Sequence, residues 1–183
     1  MNSIEGKCLI ASPYLEDPNF FRSVVFIVRH DESEAFGVLI NRPTDQKLNP
    51  ILEELCHVDC SQELPIFHGG PVEGPILALH DNEPLGDITC IPGVYLSSSE
   101  SHLVQLAKES NVRVRVFAGY SGWGPGQLDE ELAAGGWLVA EITADELFGP
   151  CNEIWEVLMN KVGRDIISQG VPRNSIPNNP NCN

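Results

Sequence analysis

At 183 residues, with 42% apolar and 20% charged residues, the chain has the length and composition of one ordinary folded domain, which excludes a fibrous or wholly disordered protein. Eleven Lys and Arg against twenty-six Asp and Glu give a formal charge of −15, so phosphate backbones and anionic lipid are repelled and direct nucleic-acid binding is not expected. No basic stretch followed by an apolar one opens the chain, no apolar run approaches the ~20 residues that cross a bilayer, and six cysteines are too dilute for a secreted disulfide scaffold. A cytoplasmic protein with reduced thiols and no membrane contact is the expectation.

Lys7 to Ala11 is a short apolar run that Ser12-Pro13 ends, because a residue before proline is pushed out of helix; it predicts the first strand. Val24 to Val28 and Phe36 to Ile40 are β-branched and aromatic without alternation, as in strands covered on both faces, and the polar Asp31 to Glu34 between them predicts a hairpin. Asn49 and Pro50 read as the N-cap and first residue of a short helix with Ile51, Leu52, Leu55 and Cys56 on one face. Pro65 to His68, Ile76 to His80 and Ile88 to Leu96 predict strands broken by Gly/Pro turns, and Glu100 to Glu109 predicts a helix burying Leu103, Val104, Leu106 and Ala107. Arg113 to Phe117 alternates polar and apolar, which predicts a strand with Arg113 and Arg115 on a wet face.

The run Gly119-Tyr120-Ser121-Gly122-Trp123-Gly124-Pro125-Gly126-Gln127 then predicts a rigid corner that holds two aromatic rings, leading into a short acidic helix. Trp137 to Ala140 reads as a strand, and Ile154, Trp155, Leu158, Met159 and Val162 stripe a closing helix. From Pro172 the chain collapses into Asn, Pro and Ser. A disordered tail over 172–183 is expected after a single α+β domain over 1–171, whose sheet is largely antiparallel and strongly bent.

Candidate chemistry is sparse. Gly119-Tyr120-Ser121-Gly122-Trp123 fails as a nucleophile elbow, since Trp123 stands where G-x-S-x-G needs glycine. Gly122-Trp123-Gly124-Pro125-Gly126 before a helix has the topology of a phosphate loop but not its spacing, because Gln127 occupies a required glycine position and Pro125 removes an N–H donor. Pro43 forces Arg42 into an extended conformation at a strand end, which makes Asn41, Arg42 and Pro43 a candidate ligand- or partner-binding motif, with carbonyl or carboxylate pairing of Arg42 as the plainer reading. His68, Gly69 and Gly70 combine a candidate polar group with a close backbone approach, and Tyr120, Trp123 and Gln127 complete the candidate set. Cys56-His57-Val58-Asp59-Cys60 lacks a second ligand pair, and His30, His57, His68, His80 and His102 show no metallohydrolase spacing, so neither metal nor cofactor is expected and no catalytic residue is assigned.

Ser12-Pro13, Leu15, Asp17, Phe20, Ser23-Val24-Val25, His30, Gly37, Asn41-Arg42-Pro43, Gly69-Gly70-Pro71-Val72, His80 and the Gly119–Gln127 run stand together in one order. In that order the chain resembles the AlgH-like family, also called YqgE. Departures are Ser121 in place of the usual alanine, Asp129 in place of glutamate, and the Asn/Pro tail. The resemblance implies a bent, partly closed, barrel-like sheet flanked by helices, and, from one branch of the family, a role in regulating transcription. With no helix-turn-helix pattern and a charge of −15, such regulation would be indirect. The expected function is a non-enzymatic binding or regulatory module with a protein or small-molecule partner. The alternative is a small-molecule-binding protein or cryptic hydrolase with its pocket near Arg42, Gly69-Gly70 and the Tyr120/Trp123 loop.

Overall fold

The computed structural model describes residues 3–15, 17–57 and 59–170; the expected tail over 172–183 lies outside them. Ten strands and five helices follow in the order β1 (Lys7–Ala11), β2 (Val24–His30), β3 (Ala35–Leu39), β4 (Pro43–Lys47), α1 (Asn49–Cys56), β5 (Pro65–His68), β6 (Val72–His80), β7 (Ile88–Ile91), β8 (Val94–Ser97), α2 (Glu100–Lys108), β9 (Val114–Trp123), α3 (Gln127–Ala133), β10 (Trp137–Glu141), α4 (Ala144–Phe148) and α5 (Ile154–Gly170). The strands run β10-β1-β2-β3-β9-β6-β8-β7, with β4 and β5 joined at the side of β9. Every pairing is antiparallel except β5 with β9. The result is a curled half-barrel of α+β class. The curl brings β7 back toward the start of β1, where Gly6 faces Ile91 and the Cys90 carbonyl with no room for a side chain.

Unbroken apolar runs explain the two-sided burial of β2. Val24, Phe26 and Val28 face the inside of the curl with Phe117, Leu147 and Leu158, while Val25 and Ile27 face outward with Trp123, Leu128 and Trp137. At ~25 cal/mol per Å2, each such side chain contributes about 1.5–3 kcal/mol of burial, so β2 anchors two cores at once. A third and a fourth cluster bury Leu52 of α1 and Leu106 of α2 against β5, β6 and β9. The hairpin expected at 31–34 is closed by the Asp31 carboxylate. It accepts from the Ser33 hydroxyl and backbone N–H and from Glu34 N–H, which hold it well below the usual carboxylate range.

Four expectations need correction. Asn49 does not cap α1: Leu48 occupies that position, and the Asn49 amide spans to Gln62 O (2.7 Å) and Leu64 N–H (2.8 Å), a longer-range demand that outweighs local capping. Ile51 is 43% exposed, so the inward face of α1 is narrower than its spacing suggests; Leu55, expected on that face, lies outside the described side chains. The segment Gly119–Trp123 is no corner but the second half of β9, because β3 and β6 flank it on either side. Only Gly124-Pro125-Gly126 turns, with Gly126 at φ 72°. Arg115 is not on a wet face: it is 7% exposed, donating to Ile40 O (2.9 Å) and Gly149 O (2.7 Å) with its guanidinium 4.8 Å from the Phe67 ring. Burial pushes its pKa down, and with its neighbour Arg113, bonded to Asp81 and Asp145, it holds the α4 segment to the sheet.

Candidate functional site: the cavity beside Trp123 and Trp137

The three sequence motifs meet where β3, β5 and β9 join, and there they are consumed by the backbone. Gly69 N–H donates to Ala118 O and Gly69 O accepts from Leu39 N–H, each at 2.8 Å, while His68 N–H donates to Arg42 O at 2.8 Å. A Cβ on Gly69 would stand 2.1 Å from Gly119 O, and one on Gly70 2.2 Å from the carbonyl carbon of Tyr120, so only glycine permits this crossing. Asn41 bridges Val24 N–H and Arg22 O, both at 2.9 Å. The Arg42 guanidinium donates to the carbonyls of Asn41 and Phe21, and burial lowers its pKa. Asn41, Arg42, Gly69 and Gly70 thus tie loops and strands together, Pro43 begins the exposed β4, and the His68 side chain lies exposed on β5.

Beyond this junction the aromatic residues part company. Tyr120 packs edge-on against Phe36 (centroids 6.2 Å apart) beside an open groove shared with Glu34, Pro75 and Leu77. Trp123 turns into the outer core, 5% exposed, and meets Trp137 edge-on at 6.1 Å. Phe20 stacks on Trp123 at 6.4 Å and meets Trp137 edge-on at 5.2 Å. The turn at 124–126 starts α3 so that Gln127 and Glu131, four residues and one helical turn apart, point the same way. Gln127 accepts from Gly124 N–H at 3.1 Å and donates to Glu131 Oε1 at 3.0 Å. Glu131 Oε2 accepts both indole N–H groups, from Trp123 at 3.0 Å and from Trp137 at 2.8 Å.

Between these side chains, Leu15, Asp17, Pro71 and Gly122 lies a cavity of about 290 Å3. It unites Trp123 and Gln127 from the candidate set, and takes Pro71 from the glycine motif, but holds neither Arg42 nor Tyr120. Glu131, Trp137, Phe20 and Asp17 were not among the candidate site residues, although Asp17 and Phe20 stand in the stretch that carries the family resemblance; a Gln/Glu pair at i and i+4 was the one local signal for Glu131.

Among the described residues, Ser121 and the His80–Ser97 pair have their hydrogen bonds closed rather than arranged for reaction. Ser121 is fully buried, its hydroxyl donating to Gly69 O at 3.3 Å. His80 and Ser97 lie 3.0 Å apart and are wholly buried; Asn82 N–H donates to His80 Nδ1, which leaves Nε2 to carry the proton and donate to the Ser97 hydroxyl, the reverse of what a general base needs. Ser97 in turn donates to Leu85 O. Burial lowers the His80 pKa and raises that of Cys90 to about 12, so neither is an activated group. Among the described residues no three His, Cys, Asp or Glu side chains gather around a metal-sized site, and no helix is long and apolar enough to cross a membrane.

The AlgH-like family model matches residues 8–167. A UPF0301 protein of Thioalkalivibrio sulfidiphilus is 38% identical over 180 residues, covering 90% of this chain and 92% of its own. One from Pseudomonas fluorescens is 39% identical over 153 residues, covering 80% and 81%. The solution structure of AlgH from Pseudomonas aeruginosa superposes with a TM-score of 0.69 at 26% identity, covering 98% of each chain, and a Corynebacterium diphtheriae crystal structure with 0.70 at 25%, covering 88% of each. Motifs, curled sheet and relatives agree over the whole described domain, and the chain belongs to the AlgH-like, UPF0301 family.

Proposed function

We propose that the protein is a non-enzymatic binding module whose ligand site is the cavity beside Trp123 and Trp137. The observation that carries this reading is Glu131, a carboxylate fixed by two indoles and an amide at the wall of a small aromatic cavity. Such a concave, mostly apolar space with a few fixed polar groups is how proteins hold ligands, and its volume suits a group the size of a side chain. The closed hydrogen bonds of Ser121 and of the His80–Ser97 pair support binding over hydrolysis. A charge of −15 supports a protein or small-molecule partner over nucleic acid, so that any effect on transcription passes through that partner.

Three tryptophans make the test internal. Trp155 lies apart, its indole donating to Ala11 O at 2.9 Å, whereas Trp123 and Trp137 share Glu131. A fragment panel followed through the indole N–H resonances is expected to yield binders that move Trp123 and Trp137 and leave Trp155 in place. A panel in which no compound moves the pair, or in which hits act equally on Gln127→Ala/Glu131→Ala protein, overturns the reading.

A further inference from the structure

The charges around the cavity go further than its shape. Two carboxylates border it, Glu131 from α3 and Asp17 from the loop after β1, and none of its lining residues is basic. Among the described residues neither carboxylate forms an ion pair, whereas Asp81, Glu141 and Glu146 elsewhere in the fold do. Glu131 is half-buried and held in place by three N–H donors, so its charge is oriented without being neutralised. A partly desolvated carboxylate feels little screening, and a cation placed against it recovers Coulomb energy that water there supplies poorly. The other lining residues include Phe20, Trp123 and Trp137, whose electron-rich rings favour an alkylated cation over an anion. The net charge of −15 concentrates cations around the whole molecule before any reaches the site.

Resting on the binding-module reading above, we infer that the cavity recognises an alkylammonium or guanidinium group, with Glu131 and Asp17 as its counter-charges and Phe20, Leu15 and the two indoles around its stem. A free aliphatic amine and a lysine or arginine side chain share that chemistry.

The probes are 1,5-diaminopentane, Nα-acetyl-lysine methylamide, the uncharged pentan-1-ol and the anion pentanoate, each titrated against the indole N–H resonances. The two amines are expected to saturate the Trp123 and Trp137 shifts at least tenfold more tightly than pentanol or pentanoate, and to weaken as salt is raised. Glu131→Gln keeps an acceptor for both indoles and is expected to weaken amine binding at least tenfold. Asp17→Asn, on an exposed loop where the fold is not at stake, is expected to weaken it in the same direction. Preference for the diamine over the lysine amide supports a free small cation, and the reverse supports a protein side chain. If pentanol or pentanoate binds as well as the amines with the same indole shifts, the cation inference is overturned while the binding cavity stands. If no probe and no member of the wider panel moves the indoles, both fall.

Discussion

Two regions of one strand put the same kinds of residue to different uses. At the middle of β9, where Ala118 to Ser121 run past Gly69-Gly70, the Gly69 backbone bonds to Ala118 and Leu39, the Ser121 hydroxyl donates to Gly69 O, and a side chain on either glycine would collide with main-chain atoms. At its C-terminal end, Trp123 opens onto a cavity whose carboxylate has donors but no counter-charge. The first region leaves nothing over for a ligand; the second does. Unusual glycine-rich sequence therefore marks architecture here, and the proposed ligand site lies a few residues on.

The largest expected effect breaks the architectural region. Gly69→Ala places its Cβ on Gly119 O and is expected to abolish cooperative folding or cost more than about 4 kcal/mol in urea denaturation; survival within 1 kcal/mol would mean that the crossing has slack. Next, Trp123→Ala is expected to cost about 3–5 kcal/mol, since it opens a cavity in the outer core and removes one of the three N–H donors to the Glu131 carboxylate. An unchanged urea midpoint would make Trp123 a ligand-only residue.

His80 sharpens the comparison from a third place. Its buried, neutral imidazole has a lowered pKa, so below about pH 6.5 the unfolded chain takes up a proton that the native state refuses, and stability falls as pH falls. The charges of Asp81 and Asp87 work against that shift, and His102 adds to it. The slope from one such group is at most about 1.4 kcal/mol per pH unit. His80→Gln keeps a donor toward Ser97 and is expected to show a shallower loss between pH 7.5 and 5.5 than the parent; identical slopes would remove His80 from the account. The smallest effect is expected for Ser121→Ala, under about 1 kcal/mol, because it loses one long hydrogen bond inside a strand that stays paired.

Much of the fold was legible because it is written in local patterns. Val24 to Val28 lacks alternation, and β2 is buried on both faces; Leu103, Leu106 and Ala107 keep helical spacing, and α2 buries them. What was not legible depends on distant partners. Pro43-Thr44-Asp45-Gln46-Lys47 is exposed throughout and becomes β4 only by pairing with β5. Glycines at 119 and 122 argue against a strand until β3, β5 and β6 are placed around them. Arg115 reads as a surface residue until the Gly149 carbonyl arrives from α4. The candidate site was half legible: Trp123 and Gln127 stood inside an unusual motif, whereas Asp17, Phe20 and Trp137 reach the cavity from elsewhere in the chain and carry no shared spacing.

The position of β9 also fixes an order of events during synthesis. It pairs with β3, β5 and β6, three strands made earlier in the chain, and closes the sheet between two halves that have no other direct ladder among the described residues. Until residues 114–123 emerge, those strands stand with unpaired edges, and their contacts span long stretches of sequence that form slowly. A chain interrupted before Val114 is thus expected to aggregate, while one that has passed Trp123 holds a nearly complete sheet. The ten residues of β9 are expected to be the commitment step of folding, and a pause in translation just upstream of them is expected to raise this protein's need for a chaperone.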